Sequence, residues 1–241
     1  MQPSFAGASD CGRVRASNQD RYCSDPQGRF FLVADGMGGH AGGERASELA
    51  IATVRDRLAQ DWDTATDPGA LLAEAIAAAN TAITTEQGQH PERSQMGTTL
   101  VALALREEQA WCAHVGDSRL YRLRTGELAQ LTTDHNWAVQ AVRAGELSPE
   151  QARSHPYRNL LVQCLGQTPP PTPEVAPLAV QAGDRWLLCS DGLNGELTDA
   201  EIRDSWQASD SCQAAVEVLI AAAKARGGSD NITAVAVAAP S

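Results

Sequence analysis

The chain has 241 residues, of which 30 are acidic and 19 are basic, and its formal net charge is −11 at pH 7. Hydrophobic residues make up 43% of the sequence, which is enough for a substantial core and excludes an intrinsically disordered protein. A surface this acidic makes nucleic acids and anionic membranes poor partners. We therefore expect a protein that binds neither of them.

Three features of the sequence bear on the cellular compartment in which the protein is found. No stretch approaches the roughly 18 apolar residues of a membrane-spanning helix. Residues 1–12 lack the basic region followed by an apolar run that marks a secretory signal. The six cysteines are far apart, with no C-x-x-C pair, and are expected to be free thiols in a reducing compartment. We expect a cytoplasmic monomer.

Short apolar runs and helical periodicities alternate along the chain. Strands are predicted from β-branched or aromatic runs bounded by Gly, Asp or Ser, at residues 29–35, 99–105, 110–115, 120–123, 186–190 and 232–238. Helices are predicted from apolar spacing and from capping and stop signals, at residues 44–60, 68–86 and 210–226. The strands between 99 and 131 follow one another without helices, which favours antiparallel pairing. The sequence therefore predicts an α+β fold in a single domain over residues 1–241.

Two stretches depart from this alternation. Residues 167–177 are rich in proline and are predicted to form an extended surface connection. Residues 132–165 are helical in character but polar. They form either a flap subdomain on the main domain or an ordinary helical hairpin within a loop.

Four aspartates stand beside predicted strands. Asp35 and Asp191 each close an apolar strand and precede a glycine. Asp117 ends a third strand, and Asp230 stands immediately before a fourth. A carboxylate at the end of a buried strand costs free energy unless its charge is compensated. One Asp-Gly pair alone is typical of a turn, but several converging acids indicate a multivalent cation, and oxygen ligands favour Mg²⁺ or Mn²⁺ over Zn²⁺.

The N-terminal segment adds a fifth acid and two arginines. Asp20 ends this segment, Arg15 lies five residues before it, and Arg13 lies two residues earlier still. A cation cluster beside an arginine suits a phosphate substrate, because metals polarise the phosphoryl group and a guanidinium grips two of its oxygens. One of the two arginines is expected to be a plain surface charge.

Seven ordered blocks extend this pattern over nearly the whole chain. They are G-R-V-R-A-S-N-Q-D (12–20), V-A-D-G-M-G-G-H-A-G-G-E (33–44), M-G-T-T (96–99), H-V-G-D-S-R-L-Y (114–121), L-T-T-D-H (131–135), C-S-D-G-L (189–193) and G-G-S-D-N-I-T (227–233). Together they resemble the metal-dependent serine/threonine protein phosphatases of type 2C, the PPM family. The likeness is to compact bacterial members, including cyanobacterial enzymes that act on a phosphorylated PII-type signalling protein.

The resemblance implies a fold and a metal centre. The fold would be a four-layer α-β-β-α sandwich of two antiparallel sheets flanked by helices, with the metals in a cleft at one end. Asp35 would bridge two tightly bound Mn²⁺ or Mg²⁺ ions. The implied ligands are one carbonyl and four carboxylates, those of Gly36, Asp20, Asp35, Asp191 and Asp230.

The resemblance also assigns roles outside the paired metals. Arg15 would bind the phosphate. Asp117, together with Asp191, would hold a third, weaker cation, whereas the alternative for Asp117 is simple pairing with Arg119. His40 would either protonate the leaving group as general acid, a role that a metal-bound water could also fill, or serve as a structural residue of its glycine-rich loop.

The implied activity is hydrolysis of phosphoserine or phosphothreonine on proteins by a metal-activated water, without a phosphoenzyme. The partners would be phosphorylated proteins, and a PII-type signalling protein is one lead. A catalytically inactive regulatory domain is a second hypothesis, but such a domain would be expected to have lost metal aspartates or the arginine. A Ca²⁺-binding structural module is a third, although the sequence has no D-x-[DN]-x-[DN]-G loop.

Overall fold

A computed structural model describes residues 3–39 and 42–239. Its strands are β1 (Ser4–Asp10), β2 (Asp20–Ser24), β3 (Phe30–Met37), β4 (Gly97–Thr98), β5 (Leu100–Arg106), β6 (Gln109–Val115), β7 (Arg119–Arg124), β8 (Glu127–Gln130), β9 (Glu174–Ala179), β10 (Arg185–Cys189) and β11 (Ile232–Ala238). Its helices are α1 (Gly42–Asp61), α2 (Pro68–Gln89), α3 (Trp137–Arg143), α4 (Pro149–Ser154), α5 (Asp191–Asn194), α6 (Asp199–Gln207) and α7 (Cys212–Arg226), with a 3₁₀ turn at Pro91–Arg93.

The strands form two antiparallel sheets. One sheet has the order β1-β11-β10-β7-β8. The other has the order β2-β3-β5-β6-β9, and the short β4 pairs with β3. In the β2–β3 pair, Asp20 lies directly opposite Asp35. Sheet register thus brings together two acids that are fifteen positions apart in sequence.

Three apolar clusters hold the layers together. Phe31 and Val33 of β3 pack between the two sheets, where they belong to the same cluster as Trp186 of β10. Phe30 and Leu32, on the opposite face of β3, pack with apolar residues of α1 and α2. Helices α5, α6 and α7 cover the outer face of the other sheet in an equivalent cluster. The architecture is the predicted four-layer α-β-β-α sandwich.

The long and strongly apolar elements lie close to their predicted positions. Strand β11 has the predicted bounds, and α2 begins at Pro68, where the side chain of Asp67 caps it. Ser211 caps α7 by accepting a hydrogen bond from the amide of Ala214 at 3.1 Å, and Gly227 ends that helix. Strands β1 and β2 and helices α5 and α6 were not predicted. Strands β1 and β2 are only partly buried and α5 has four residues, so these three elements lack a strong apolar signature, whereas the capping box of α6 (Thr198 with Glu201) was not used.

Three local predictions were wrong. Strand β3 continues two residues beyond Asp35 to Met37. Strand β10 ends at Cys189, so Asp191 opens a short helix instead of closing the strand. Residues from Glu174 onward form strand β9 and are not merely a surface connection. Strand β9 is at the edge of its sheet, where Pro177 is tolerated because an edge strand needs fewer ladder hydrogen bonds.

Residues 132–165 contain helices α3 and α4, which Asn136 and Ser148 cap through their side chains. This segment is tied to the sandwich at its base. The amide of Leu165 donates to the carbonyl of Thr98 at 2.8 Å, and the amide of Thr98 donates to the carbonyl of Leu165 at 3.1 Å.

All six cysteines are free, as predicted. Among the described residues, the helices do not combine the length and apolar character that crossing a membrane requires.

Candidate metal centre

A cleft of about 400 Å³ is lined by four of the five predicted acids, which come from both sheets. Its lining includes the residues Arg15, Asp35, Gly36, Asp117, Asp191 and Asp230. Asp35 and Asp117 belong to segments of one sheet, in β3 and in the turn after β6. Asp191 and Asp230 belong to segments of the other sheet, after β10 and before β11. The sandwich therefore brings four separate segments of the chain to one cleft.

The backbone of Asp35 is held on both sides. Its amide donates to Oγ1 of Thr99 at 3.0 Å. Its carbonyl accepts from Oγ1 of Thr98 at 2.8 Å and from the amide of Thr99 at 2.9 Å. Three hydrogen bonds thus hold the Asp35 peptide groups and leave the carboxylate for the cleft.

Gly36 is required by a close approach of two backbones. A Cβ atom added at Gly36 would lie 2.0 Å from the carbonyl oxygen of Gly43, in the first turn of α1. The amide of Gly36 donates to the carbonyl of Gln19 at 3.2 Å. Only glycine lets β3 run this close to α1 while its own carbonyl stays near the cleft.

Asp20 lies beneath the cleft and is almost fully buried. Its Oδ2 accepts hydrogen bonds from Ser190 Oγ and from Thr233 Oγ1, both at 2.7 Å. Its Oδ1 is buried and has no hydrogen-bond partner among the described residues. A buried carboxylate oxygen without a partner is costly, so this atom has unused capacity for a cation or a bound water.

Asp191 and Asp230 stand at neighbouring ends of the paired strands β10 and β11 in the other sheet. Asp191 begins α5, and its Oδ1 is also buried without a partner in the part of the chain that the structure describes. A Cβ atom at the next residue, Gly192, would lie 2.0 Å from the carbonyl oxygen of Asn231. This close approach seats the Asp191 segment directly against the residue that follows Asp230.

Burial and mutual repulsion raise the pKa values of these carboxyls. The pKa of Asp35 rises well above its ordinary value, first through burial and then through the charges of Asp20 and Asp191. Burial likewise raises the pKa of Asp20 to about 6 and that of Asp117 to about 8. Burial and the charge of Asp230 raise the pKa of Asp191. The cluster thus carries negative charge that its surroundings do not compensate, and a bound divalent cation would reverse these shifts.

The donor set fits a hard divalent cation. The acids offer carboxylate oxygens, Gly36 offers a carbonyl, and buried oxygens of Asp20 and Asp191 are unpaired. Mg²⁺ and Mn²⁺ bind such oxygen ligands and retain several waters. The residues present therefore suit these ions.

Asn231 holds the loop that carries Arg15. Its Oδ1 accepts from the amide of Gln19 at 2.8 Å, and its Nδ2 donates to the carbonyls of Cys11 and Ser17 at 3.1 and 3.0 Å. Arg15, which is exposed at the rim, donates through Nη2 to Asp230 Oδ2 at 2.7 Å. Sequence reasoning did not assign a role to Asn231, although it stands next to Asp230 in the last block. An amide side chain beside a predicted ligand was the available signal.

The two arginines singled out from sequence differ in the structure. Arg15 lines the cleft, whereas Arg13 does not and is exposed. The alternative pairing of Asp117 with Arg119 is not observed, because Nε and Nη2 of Arg119 donate to Asp134 at 2.7 to 3.1 Å. His40 lies outside the described residues.

A second group of potential ligands lies outside this cleft, formed by His114, His135 and Glu174, whose donor atoms are within 4.8 Å of one another. The amide of Gly116 donates to His135 Nδ1 at 3.2 Å, so the proton of neutral His135 is on Nε2, which lies 3.2 Å from Glu174. His114 Nε2 lies 2.9 Å from the carbonyl of Thr133, so it also carries a proton. Both Nε2 atoms therefore donate hydrogen bonds and are not free metal ligands.

The family model of protein phosphatase 2C matches residues 9–230, which is most of the chain and includes the segments that line the cleft. The chain belongs to the protein phosphatase 2C family. Its relatives include the serine/threonine protein phosphatase PstP of Mycobacterium tuberculosis, with 40% identity over 96% of this chain. The protein phosphatase PhpP of Streptococcus pneumoniae is 36% identical over 93% of each chain.

Solved structures agree with this membership of the protein phosphatase 2C family. The crystal structure of M. tuberculosis PstP superposes with a TM-score of 0.94 and 38% identity over the whole of both chains. A PstP catalytic domain in complex with two manganese ions has a TM-score of 0.88 and 36% identity, over 98% of this chain and 97% of that one. The present chain spans 44% of the full length of M. tuberculosis PstP.

Proposed function

We propose that this chain hydrolyses phosphoserine and phosphothreonine on proteins in a reaction that depends on Mn²⁺ or Mg²⁺. The observation that carries the proposal is the cleft in which carboxylates from both sheets converge beside Arg15. The similar PstP catalytic domain is in complex with two manganese ions, which supports the binding of two cations by this chain. When bound, the cations supply Lewis-acid polarisation of the phosphoryl group and a water whose pKa is lowered towards neutrality.

The chain's own acids would hold the cations. Asp35 would be a ligand of the tight pair, since it lies opposite Asp20 in the β2–β3 register and the charges of Asp20 and Asp191 raise its pKa. Asp230 and the carbonyl of Gly36 would complete the ligands. Asp117 would join Asp191 in holding a third, weaker cation, since its pKa responds first to burial and then to the charge of Asp191.

Arg15 would bind the phosphate. Its guanidinium is at the rim and half-exposed, so it can reach substrate without desolvation of a buried charge. A planar guanidinium donates two parallel hydrogen bonds to two phosphate oxygens and so orients phosphorus above the acids. His40 would donate the proton that the leaving alkoxide needs. The attacking water would displace the alkoxide directly, so no side chain would form a phosphoenzyme.

We further propose that residues 1–241 form one domain with a flap at about 132–165, and that the protein is a cytoplasmic monomer. Its substrates would be phosphoproteins, with a PII-type signalling protein as one candidate. The competing hypothesis, an inactive regulatory domain, is disfavoured because Arg15 and the metal aspartates are all present in the sequence.

The decisive experiment compares hydrolysis by the metal-free protein, prepared with a chelator, before and after addition of Mn²⁺ or Mg²⁺. The substrates are p-nitrophenyl phosphate and a phosphothreonine peptide. We expect activity on both substrates only with the cation, and no trapped phosphoenzyme. A folded, Mn²⁺-loaded protein that hydrolyses neither substrate would support the inactive regulatory domain, and activity that persists in chelator would exclude the metal mechanism.

A further inference from the structure

The M-G-T-T block contributes no side chain to the proposed metal ligands, yet it lies against two of them. Thr99 is almost fully buried, and it lines the cleft between Asp35 and Asp117. Its Oγ1 accepts a hydrogen bond from the amide of Asp35 at 3.0 Å. The same oxygen lies 2.7 Å from Oγ of Ser118, the residue that follows Asp117. One hydroxyl therefore bridges the segments that carry the two acids.

The methyl group of Thr99 makes a separate contact. The turn after β6 passes so close to Thr99 that a Cβ atom added at Gly116 would lie 2.6 Å from Thr99 Cγ2. Gly116 has a φ of 103°, in the region that favours glycine. The turn that presents Asp117 thus rests on the Thr99 side chain through one polar and one apolar contact.

We propose that Thr99 is a positioning residue whose hydroxyl sets the separation between Asp35 and Asp117, and hence between the paired cations and the third cation. The inference rests on the proposed metal-dependent phosphatase function. Thr99 Oγ1 accepts a hydrogen bond from the amide of Asp35 and lies within hydrogen-bond distance of Ser118 Oγ, so the segments of both acids contact this one oxygen atom. Loss of that atom removes the described hydrogen bond between Thr99 and the Asp117 turn, and leaves this turn tied to His135 through the amide and the carbonyl of Gly116.

Asp35 and Asp117 differ in the contacts that remain when the Thr99 hydroxyl is removed. The carbonyl of Asp35 still accepts from Thr98 Oγ1 and from the Thr99 amide when the Thr99 hydroxyl is removed. The carboxyl of Asp117 is buried near Asp191, and its position depends on the conformation of the turn after β6. Removal of the hydroxyl should therefore weaken the third site much more than the tight pair.

The test uses the full chain with Thr99→Val, Thr99→Ser and the matched control Thr132→Val. Valine keeps the shape of threonine without its hydroxyl, and serine keeps the hydroxyl without the methyl group. Thr132 is also buried and accepts a backbone amide hydrogen bond, from Leu120 at 3.2 Å, but it does not line the cleft. Mn²⁺ binding is followed by electron paramagnetic resonance of the free ion, and kcat and KM are measured on a phosphothreonine peptide.

We expect Thr99→Val to weaken the third cation site by roughly 10- to 100-fold, the range for residues that orient metal ligands. The kcat should fall in parallel while KM and the affinity of the tight pair stay within about threefold, since binding of the ground state is not affected. Thr99→Ser should restore the third site to within about threefold of wild type. Thr132→Val should match wild type.

Three outcomes would overturn the inference. Thr99→Val could bind the third cation as wild type does, it could lose the tight pair equally, or Thr99→Ser could behave like the valine variant. If Thr99→Val does not fold, Ser118→Ala removes the same bridge from the other side and must give the same selective loss. If the wild type shows no Mn²⁺-dependent hydrolysis, the proposed function is overturned. If the wild type is active and Thr99→Val binds the third cation with wild-type affinity, only this inference is overturned.

Discussion

The guanidinium of Arg15 lies 2.7 Å from the carboxylate of Asp230. The side chain proposed to bind phosphate is therefore paired with one of the proposed metal ligands. Arg15 is 55% exposed and Asp230 is 32% exposed, so solvent screens this pair and its contribution to stability is small. Asp230 would therefore serve both as a ligand of a cation and as the partner of the phosphate-binding arginine.

The first prediction concerns this arginine. Arg15→Ala should raise KM for a phosphopeptide by roughly 10- to 100-fold with little change in kcat, because a charge-assisted contact is lost from ground state and transition state alike. Arg13→Ala is the matched control, since Arg13 is exposed and does not line the cleft. Steady-state kinetics on both variants checks this, and a larger defect in Arg13→Ala would mean that the phosphate contact is misassigned.

The second prediction concerns the acid cluster itself. Asp191→Asn should lower Mn²⁺-dependent activity by more than about 100-fold and weaken Mn²⁺ binding in calorimetry. The same change should raise the melting temperature of the metal-free protein, because burial and Asp230 disfavour the Asp191 carboxylate. A purely structural role predicts the opposite, a metal-free variant that melts at a lower temperature than wild type.

The third prediction is a pH dependence of stability without metal. The raised pKa values of Asp20, Asp35, Asp117 and Asp191 mean that the folded protein binds more protons than the unfolded chain, from the ordinary value of 3.8 up to about 8 for Asp117. The free energy of unfolding should therefore fall as pH rises through this window. His114, whose pKa burial lowers from 6.5, acts in the opposite direction. The lowered pKa values of Asp10, Asp25, Glu86 and Glu196 also oppose the trend, but only around and below their ordinary values of 3.8 and 4.5, so the fall in stability is expected above about pH 5.

Mn²⁺ should reverse this trend, because it binds the deprotonated carboxylates and competes with protons. Thermal unfolding from about pH 5 to about pH 8, in chelator and in Mn²⁺, measures both effects. We expect the gain in melting temperature from Mn²⁺ to grow with pH. A gain that does not change across this range would contradict the assignment of these acids as ligands.

The fourth prediction tests the close backbone approach at Gly192. Gly192→Ala should destabilise the protein by about 1–3 kcal/mol, since its Cβ would lie 2.0 Å from the carbonyl oxygen of Asn231. Gly88→Ala near the end of α2 is the control, because a Cβ there meets nothing within 4 Å. Denaturant unfolding should show the control to be neutral or stabilised by up to about 1 kcal/mol. Equal effects in both variants would argue against the tight seating of the Asp191 segment.

The fifth prediction concerns His40. If it protonates the leaving group, His40→Ala should reduce kcat on a phosphoserine peptide far more than on p-nitrophenyl phosphate, whose leaving group needs no proton. Equal losses on the two substrates would assign His40 a structural role in its loop.

The sequence by itself determined the chemistry that is available. Acids beside strongly apolar runs, three of them next to a glycine, identified Asp35, Asp117, Asp191 and Asp230 as members of one site, because buried carboxylates need compensation. Long apolar elements such as β11 and α2 could be located for a similar reason, since burial of an apolar run leaves a local pattern. The short, partly buried strand β1 left no such signal, whereas α6 carried one that was not used, the capping box of Thr198 and Glu201.

Only the tertiary structure decided how these residues meet. Sheet register placed Asp20 opposite Asp35 and beneath the cleft, where Ser190 and Thr233 occupy one of its oxygens and leave the other unpaired. The partner of Arg15 and the bridging position of Thr99 likewise depend on contacts between segments far apart in the chain. Such contacts form when the two sheets pack against each other. Local sequence patterns do not specify them, because the atoms involved are far apart in the chain and become neighbours only through this packing.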